Sequence, residues 1–293
     1  MTRHRFTALG TDVELILDTA PGPAAEMRLA AAEADVRRYE AVFSRFRPDS
    51  ELSKLNRLGR LRPSPALAEV VRLALRARDT SGGRFDPTVH DALVAAGYSR
   101  SFDDLAQTTV ARAARVRTVC AGAVDLDDLT GEVRLAGGVH IDLGGIAKGW
   151  IVDRIAARLG EAGPCLVNAG GDLAISAPRS TGAWPVGVAL GDGESITLDL
   201  GRGAMATSGR DRRRWEGPDG PAHHIIDPRT GAPAETDLIR VTAVASTAVE
   251  AEVLAKSLLI AGASDAADEA NANDIAAVLI AEDGAVTLTG GLR

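Results

Sequence analysis

The sequence predicts a mixed α/β fold, and three observations carry that expectation. Helical and strand-like segments come in the order helices, strands, helix, strands, helix, strands, which suits neither an all-α nor an all-β protein. Near the middle, residues 138–153 (GVHIDLGGIAKGWIVD) read as a strand, a glycine turn and a helix in direct succession. The 293 residues are 45% hydrophobic, enough to bury a sizeable core. No internal repeat, low-complexity tract or long linker divides the chain, so residues 1–293 are expected to form a single domain.

Residues 5–17 alternate on either side of Leu9-Gly10-Thr11, which predicts two strand halves joined at a glycine bend. Residues 24–46 predict a helix whose apolar side includes Met27, Ala31, Ala34, Val42 and Phe46. Asp49-Ser50 then caps a short helix, SELSKLN. Residues 66–80 form another amphipathic pattern closed by Gly82-Gly83, and Pro87 in FDPTVHDALVAAGY suits the first turn of the next helix. Short strands are expected at residues 116–120, 124–126 and 133–135, with turn residues between them. In the central stretch Val139, Ile141 and Leu143 alternate as a strand, and Ile146, Ile151, Ile155 and Leu159 follow at helical spacing. CLVNAGGDLAISA predicts strand, glycine turn and strand. Strands follow at 184–190 and 195–200, then GAMATSGR and HHIIDPRTGAP. A strand over 239–245, a helix over 247–261 and strands over 275–281 and 286–288 complete the pattern.

Composition narrows the function. A net charge of −7 argues against a nucleic-acid surface, although residues 210–214 form a basic patch. Aromatic content is only 3%, so an aromatic ring near a ligand site carries more weight than usual. Cys120 and Cys165 lack a CxxC spacing and are expected as free thiols of a reducing compartment. No apolar run approaches the roughly 18 residues of a membrane span, and the N-terminal residues do not read as a signal peptide. A cytoplasmic protein without a membrane span is the expectation.

The chemistry centres on the glycine turns. A strand, a glycine turn and a helix N-terminus gather several backbone N–H groups around one point, which attracts phosphate or another anion. Lys148 adds a full positive charge there, in a chain with three lysines among 33 basic residues. Further turns at NAGGD, ATSGR and DPRTG aim Asp172 and Thr207-Ser208 and follow His223-His224. None matches GxGxxG or GxxxxGKS/T, which disfavours Rossmann and P-loop enzymes. The five histidines, His4, His90, His140, His223 and His224, form no HxxxH or HExxH pattern, so a zinc site is not supported by the sequence. His224 adjoins Asp227 and is the best acid–base candidate; a strand histidine bonded to a carbonyl is the alternative.

Taken together, eight motifs in order resemble the ApbE-type FAD:protein FMN transferases. They are ALGT (8–11), FSRFRPDSELSKLN (43–56), GGRFDPTV (82–89), IDLGGIAKGWIVD (141–153), LVNAGGD (166–172), ATSG (206–209), HIIDPRTGAP (224–233) and TAVEAEVLAKSLLIAG (247–262). The resemblance implies a T-fold-like α+β architecture of two closely packed subdomains with the ligand cleft between them. It also implies an enzyme that cleaves FAD with a divalent metal, usually Mg2+. The FMN half passes to a threonine or serine of a partner flavoprotein, within a D/E-x-x-S/T-G-A/S-T motif, and AMP is released; some relatives hydrolyse FAD instead. By position, Leu9, Phe46, Phe85, Asp86, Thr88, Asp142, Lys148 and Thr207 would contact FAD. His224 and Asp227 would activate the acceptor hydroxyl or position flavin.

The family's metal would be held by the Gly145 carbonyl and by two positions on the late helix, which here are Glu252 and Lys256. Glutamate keeps a hard oxygen ligand on a longer arm, whereas an ammonium cannot ligate. Three readings follow. Glu252 and Gly145 hold a weaker metal, or Lys256 itself bonds the diphosphate. The third is an FAD-binding, storage or pyrophosphatase protein with little transfer.

Overall fold

The computed structural model describes residues 1–102, 120–191, 193–217 and 220–292. The hairpin of β1 (Thr2–Ala8) and β2 (Thr11–Leu17) turns at Leu9 and Gly10, whose φ values of 59° and 64° suit the left-handed two-residue turn between twisted strands. Helix α1 (Pro23–Phe43) buries Ala25, Leu29, Ala32, Val36 and Phe43. Met27 is 70% exposed and Phe46 40%, so the buried stripe is the one beside that expected from sequence. Helix α2 (Glu51–Leu58) begins at Ser50, whose side chain accepts the Ser53 N–H at 2.9 Å. After β3 (Arg60–Leu61), α3 (Pro65–Thr80) begins at Ser64 in the same way, and a 3-10 turn, Pro87–Val89, runs into α4 (His90–Ala95).

Strands β4 (Val124–Leu126) and β5 (Val133–Leu135) coincide with the expected segments. The strand expected at 116–120 lies outside the described residues except for Cys120. Residues 139–143 are not a strand. Their backbone is bonded by a side chain instead: Asn56 donates to the Ile141 carbonyl and accepts its N–H, both at 2.9 Å. The Asp142 N–H goes to the Pro87 carbonyl at 2.7 Å, so no neighbouring strand is needed. Helix α5 (Ala147–Gly160) follows the turn at residues 144–146, with Ile146, Ile151, Ile155 and Leu159 buried as expected.

The remaining strands are β6 (Cys165–Ala169), β7 (Asp172–Ile175), β8 (Trp184–Gly191), β9 (Glu194–Leu200) and β10 (Gly203–Gly209). Two short hairpins come next, β11 (Arg214–Gly217) with β12 (Gly220–His223) and β13 (Ile226–Asp227) with β14 (Ala232–Pro233). The chain ends with β15 (Leu238–Ala245), α6 (Ala248–Ala261), α7 (Ala263–Ala272), β16 (Ala277–Ala281) and β17 (Val286–Leu288). Helix α7, with only small Ala266 and Ala270 buried, carries too little apolar pattern to be read from sequence.

The chain divides into two compact units, each assembled from separated stretches. The first comprises Met1–Tyr39, Lys148–Ser208 and Asp237–Arg293. It is built on an eight-stranded sheet in the order β1-β2-β6-β7-β10-β15-β16-β17. Leu173, Ile175, Met205, Val278 and Ile280 on that sheet form a core with Trp184, Val186 and Val188 of the β8–β9 hairpin. The second unit comprises Glu40–Ala147 and Gly209–Thr236 and holds a three-stranded sheet, β3-β5-β4. Its core includes Leu93, Tyr98, Cys120, Trp215 and Ile226. The fold is mixed α and β.

Candidate functional site

In the first unit the chemistry gathers where α5 begins. Lys148, in its first turn, holds its ammonium against the Asp172 carboxylate and 3.3 Å from Glu252 Oε1. Both carboxylates are buried, Asp172 at 2% and Glu252 at 4% exposure. The second Glu252 oxygen accepts the Gly149 N–H at 3.0 Å. One ammonium between two buried carboxylates leaves a negative charge to be balanced, so the place suits a further cation.

Close backbone approach builds this arrangement. A Cβ on Gly149 would lie 2.7 Å from the Ala248 carbonyl oxygen, so α5 and α6 touch there main chain to main chain. Asp153 on α5 accepts the N–H groups of Ala248 and Val249, at 2.8 and 3.1 Å, and so caps α6. Burial raises the Asp153 carboxyl's pKa, against those two bonds. The cap fixes the register that sets Glu252 against Lys148, and Lys256 stands half-buried one turn further along α6.

Asp172 comes from the turn between β6 and β7, where Gly170 and Gly171 take φ values of 64° and 105°. A Cβ on Gly170 would fall 2.3 Å from Thr11 Oγ1, which puts the hairpin turn carrying Leu9 beside this one. Thr207 neighbours Gly171 and shares a hydroxyl bond of 2.9 Å with Thr242.

In the second unit Arg45 is the organising residue. Its Nε donates to Asp142 Oδ2 at 2.8 Å, and its guanidinium lies 4.3 Å from the Phe46 ring centroid and 4.5 Å from that of Tyr98. Asp142 also accepts the Gly144 N–H at 2.8 Å, ahead of the turn that contains Gly145. Two rings thus lie against Arg45, and Tyr98 stacks in turn on Trp215 with centroids 5.2 Å apart. Phe85 is buried, and its N–H donates to Ser81 Oγ. Asp86 accepts from the Thr88 N–H and hydroxyl, both at 2.8 Å, and from the Ala121 N–H at 2.6 Å. The Thr88 hydroxyl in turn accepts the Gly122 N–H at 3.1 Å. These two side chains tie residues 86–88 to residues 121–122.

Asp227 is held by Arg229, whose Nε and Nη2 reach its two oxygens at 3.0 and 2.8 Å. His223 is fixed as a neutral ring: Nδ1 accepts the Ile225 N–H at 3.3 Å and Nε2 donates to the Ala234 carbonyl at 3.2 Å, while burial lowers its pKa. His224 is half-buried beside it. The Cys120 thiol is pushed up to about 11 by burial and then by Asp86, Asp227 and Asp91, which leaves it inert at neutral pH.

Of the residues singled out from sequence, Leu9, Lys148, Thr207, Glu252 and Lys256 lie in the first unit. Phe46, Phe85, Asp86, Thr88, Asp142, Gly145, His224 and Asp227 lie in the second. Lys148 and Glu252 meet, and so do Asp86 and Thr88. Arg45, Asn56, Gly149 and Asp153 lie within the quoted motifs, but local pattern gives none of them a role. Asp172 was signalled by its glycine turn. Among the described residues no helix is long and apolar enough to cross a membrane.

A sequence model of the ApbE family matches residues 9–279. An FAD:protein FMN transferase of Treponema pallidum is 31% identical over 265 residues, covering 82% of this chain and 73% of that protein. One from Salmonella typhimurium is 28% identical over 260 residues, covering 83% and 73%. The crystal structure of an ApbE protein from Thermotoga maritima superposes with a TM-score of 0.85 at 26% identity, covering 98% of this chain and 96% of that one.

Proposed function

Because the chain belongs to the ApbE family, we infer that it is an FAD:protein FMN transferase, acting on FAD and on a target flavoprotein. The acceptor hydroxyl oxygen bonds to the FMN-side phosphorus as the phosphoanhydride bond breaks, and AMP leaves with the bridging oxygen. The product is FMN joined through a phosphoester to a threonine or serine, for which we propose a D/E-x-x-S/T-G-A/S-T segment of the flavoprotein. The observation that carries the site is the Lys148 ammonium gripped by buried Asp172 and Glu252 at the start of α5.

Phosphoryl transfer asks the protein mainly to position two groups and neutralise charge. We assign the diphosphate to Lys148 at the start of α5, since the Ala147 and Gly149 N–H groups there are already held by the Leu143 carbonyl and by Glu252. Leu9, Thr207 and Phe46 are proposed as further FAD contacts. Phe85, Asp86, Thr88 and Asp142 are proposed to shape the loops that receive the dinucleotide, since the polar groups of Asp86 and Thr88 are spent on the protein's own backbone and hydroxyl. His224 is proposed to take the acceptor's proton; Asp227, paired with Arg229, would hold the turn beneath it.

Magnesium at Gly145 and Glu252 does not suit these residues. Both Glu252 oxygens already accept from Lys148 and Gly149, and the position one turn on carries an ammonium. We therefore propose that Lys256 supplies the counter-charge, which also balances the excess negative charge around Lys148. Two free, buried cysteines support placing the protein in the cytoplasm.

The test is incubation with FAD and an acceptor protein carrying the motif, with magnesium or with chelator. A covalent flavin adduct and AMP in both arms is the expected result, and Lys256→Thr should make transfer metal-dependent. An adduct lost only in chelator returns the counter-charge to a metal. Retained FAD without AMP, or AMP without adduct, overturns the transferase assignment.

A further inference from the structure

Two of the five histidines meet an aspartate at a place that the reading above does not use. His90 and Asp91 open α4, while His140 comes from the extended segment before Ile141. Asp91 Oδ1 lies 2.8 Å from His90 Nδ1, and Asp91 Oδ2 lies 2.9 Å from His140 Nδ1. The ligand-capable atoms of all three lie within 4.8 Å of one another, and the two imidazole rings are 5.5 Å apart. The side chains are partly exposed, at 21%, 42% and 39% for His90, Asp91 and His140, so an ion can reach them from solvent.

We propose that His90, Asp91 and His140 form a binding site for a divalent transition cation of the zinc class, with solvent in the remaining position. Two neutral imidazoles and one carboxylate prefer such an ion over magnesium or calcium, which favour all-oxygen sets. Ligands at 2.0–2.1 Å from a tetrahedral ion stand about 3.3 Å apart, so the two nitrogen–oxygen distances need to lengthen by only about half an ångström. On binding, each imidazole turns Nδ1 to the metal and keeps its proton on Nε2. Any proton beyond that leaves to solvent. Three protein ligands and an open position make the site accessible and exchangeable rather than a closed structural one.

The place also gives the ion a mechanical consequence. His140 is two residues before Asp142, and His90 is two after Thr88. The Asp142 N–H already bonds the Pro87 carbonyl at 2.7 Å, so a metal here cross-braces the two segments carrying Asp86, Thr88 and Asp142.

Titration of metal-stripped full-length protein with zinc chloride, followed by calorimetry and by histidine side-chain NMR, tests the proposal without FAD. One equivalent should bind, and of the five imidazoles those of His90 and His140 should shift. His140→Gln should weaken binding by at least the roughly 10–100-fold that loss of even an outer-shell partner produces. Magnesium at the same concentration should not compete. Absence of zinc binding, unchanged affinity in His140→Gln, or shifts confined to other histidines overturns the site. The wild-type NMR reading decides the matter if the variant does not fold.

Discussion

Replacing Lys148 by methionine removes the cation that Asp172 and Glu252 share and leaves two buried carboxylates facing each other. Losing one partner of a buried charge pair typically costs about 3–5 kcal/mol, which chemical unfolding would read directly. Flavinylation should fall by about 10²–10³-fold, the scale of removing one preorganised charge-stabilising group. Adding Glu252→Gln should recover part of the stability but not the activity; recovery of both would demote Lys148 to a structural residue. His223 makes a separate prediction. Burial lowers its pKa below the ordinary 6.5, so the unfolded chain binds the proton more readily. Its contribution is complete above that value and is lost as pH falls through the lower folded pKa. Melting temperatures measured from neutral to mildly acid pH should drop, and His223→Gln should flatten that slope.

Two contacts between elements decide where the site residues end up. Gly149 lets α5 and α6 touch, and an alanine there would press its Cβ against the Ala248–Val249 backbone at 2.7–2.8 Å. Gly149→Ala should therefore cost about 1–3 kcal/mol as an overpacking change and pull Glu252 off Lys148, visible as a lower melting temperature with a larger loss of transfer. Asn56 plays a comparable part in the second unit, where α2 braces residues 139–143 through two side-chain bonds at 2.9 Å. Asn56→Ala leaves the Ile141 backbone unpaired, at about 1–3 kcal/mol for each buried group; a melting temperature equal to wild type would show the brace to be dispensable. Neither contact has a local signature, since each joins segments distant in sequence.

At the level of the whole molecule, the sheet of the first unit pairs β2 with β6, strands almost 150 residues apart in sequence. A fragment of residues 1–147 keeps only the β1–β2 hairpin of that sheet and exposes an unpaired edge, so it should aggregate rather than fold, as light scattering would show. The mixed α/β class, most strands and helices, the glycine turns and the prominence of Lys148 are legible in local pattern, because periodicity, capping and turn chemistry act over a few residues. Long-range packing sets which stripe of α1 is buried and puts an asparagine side chain in the place of a strand partner at Ile141. It alone brought Asp172 and Glu252 to one ammonium and His140 to His90 and Asp91. Such meetings depend on which distant backbones pair and how closely they approach, and short-range pattern carries no record of either.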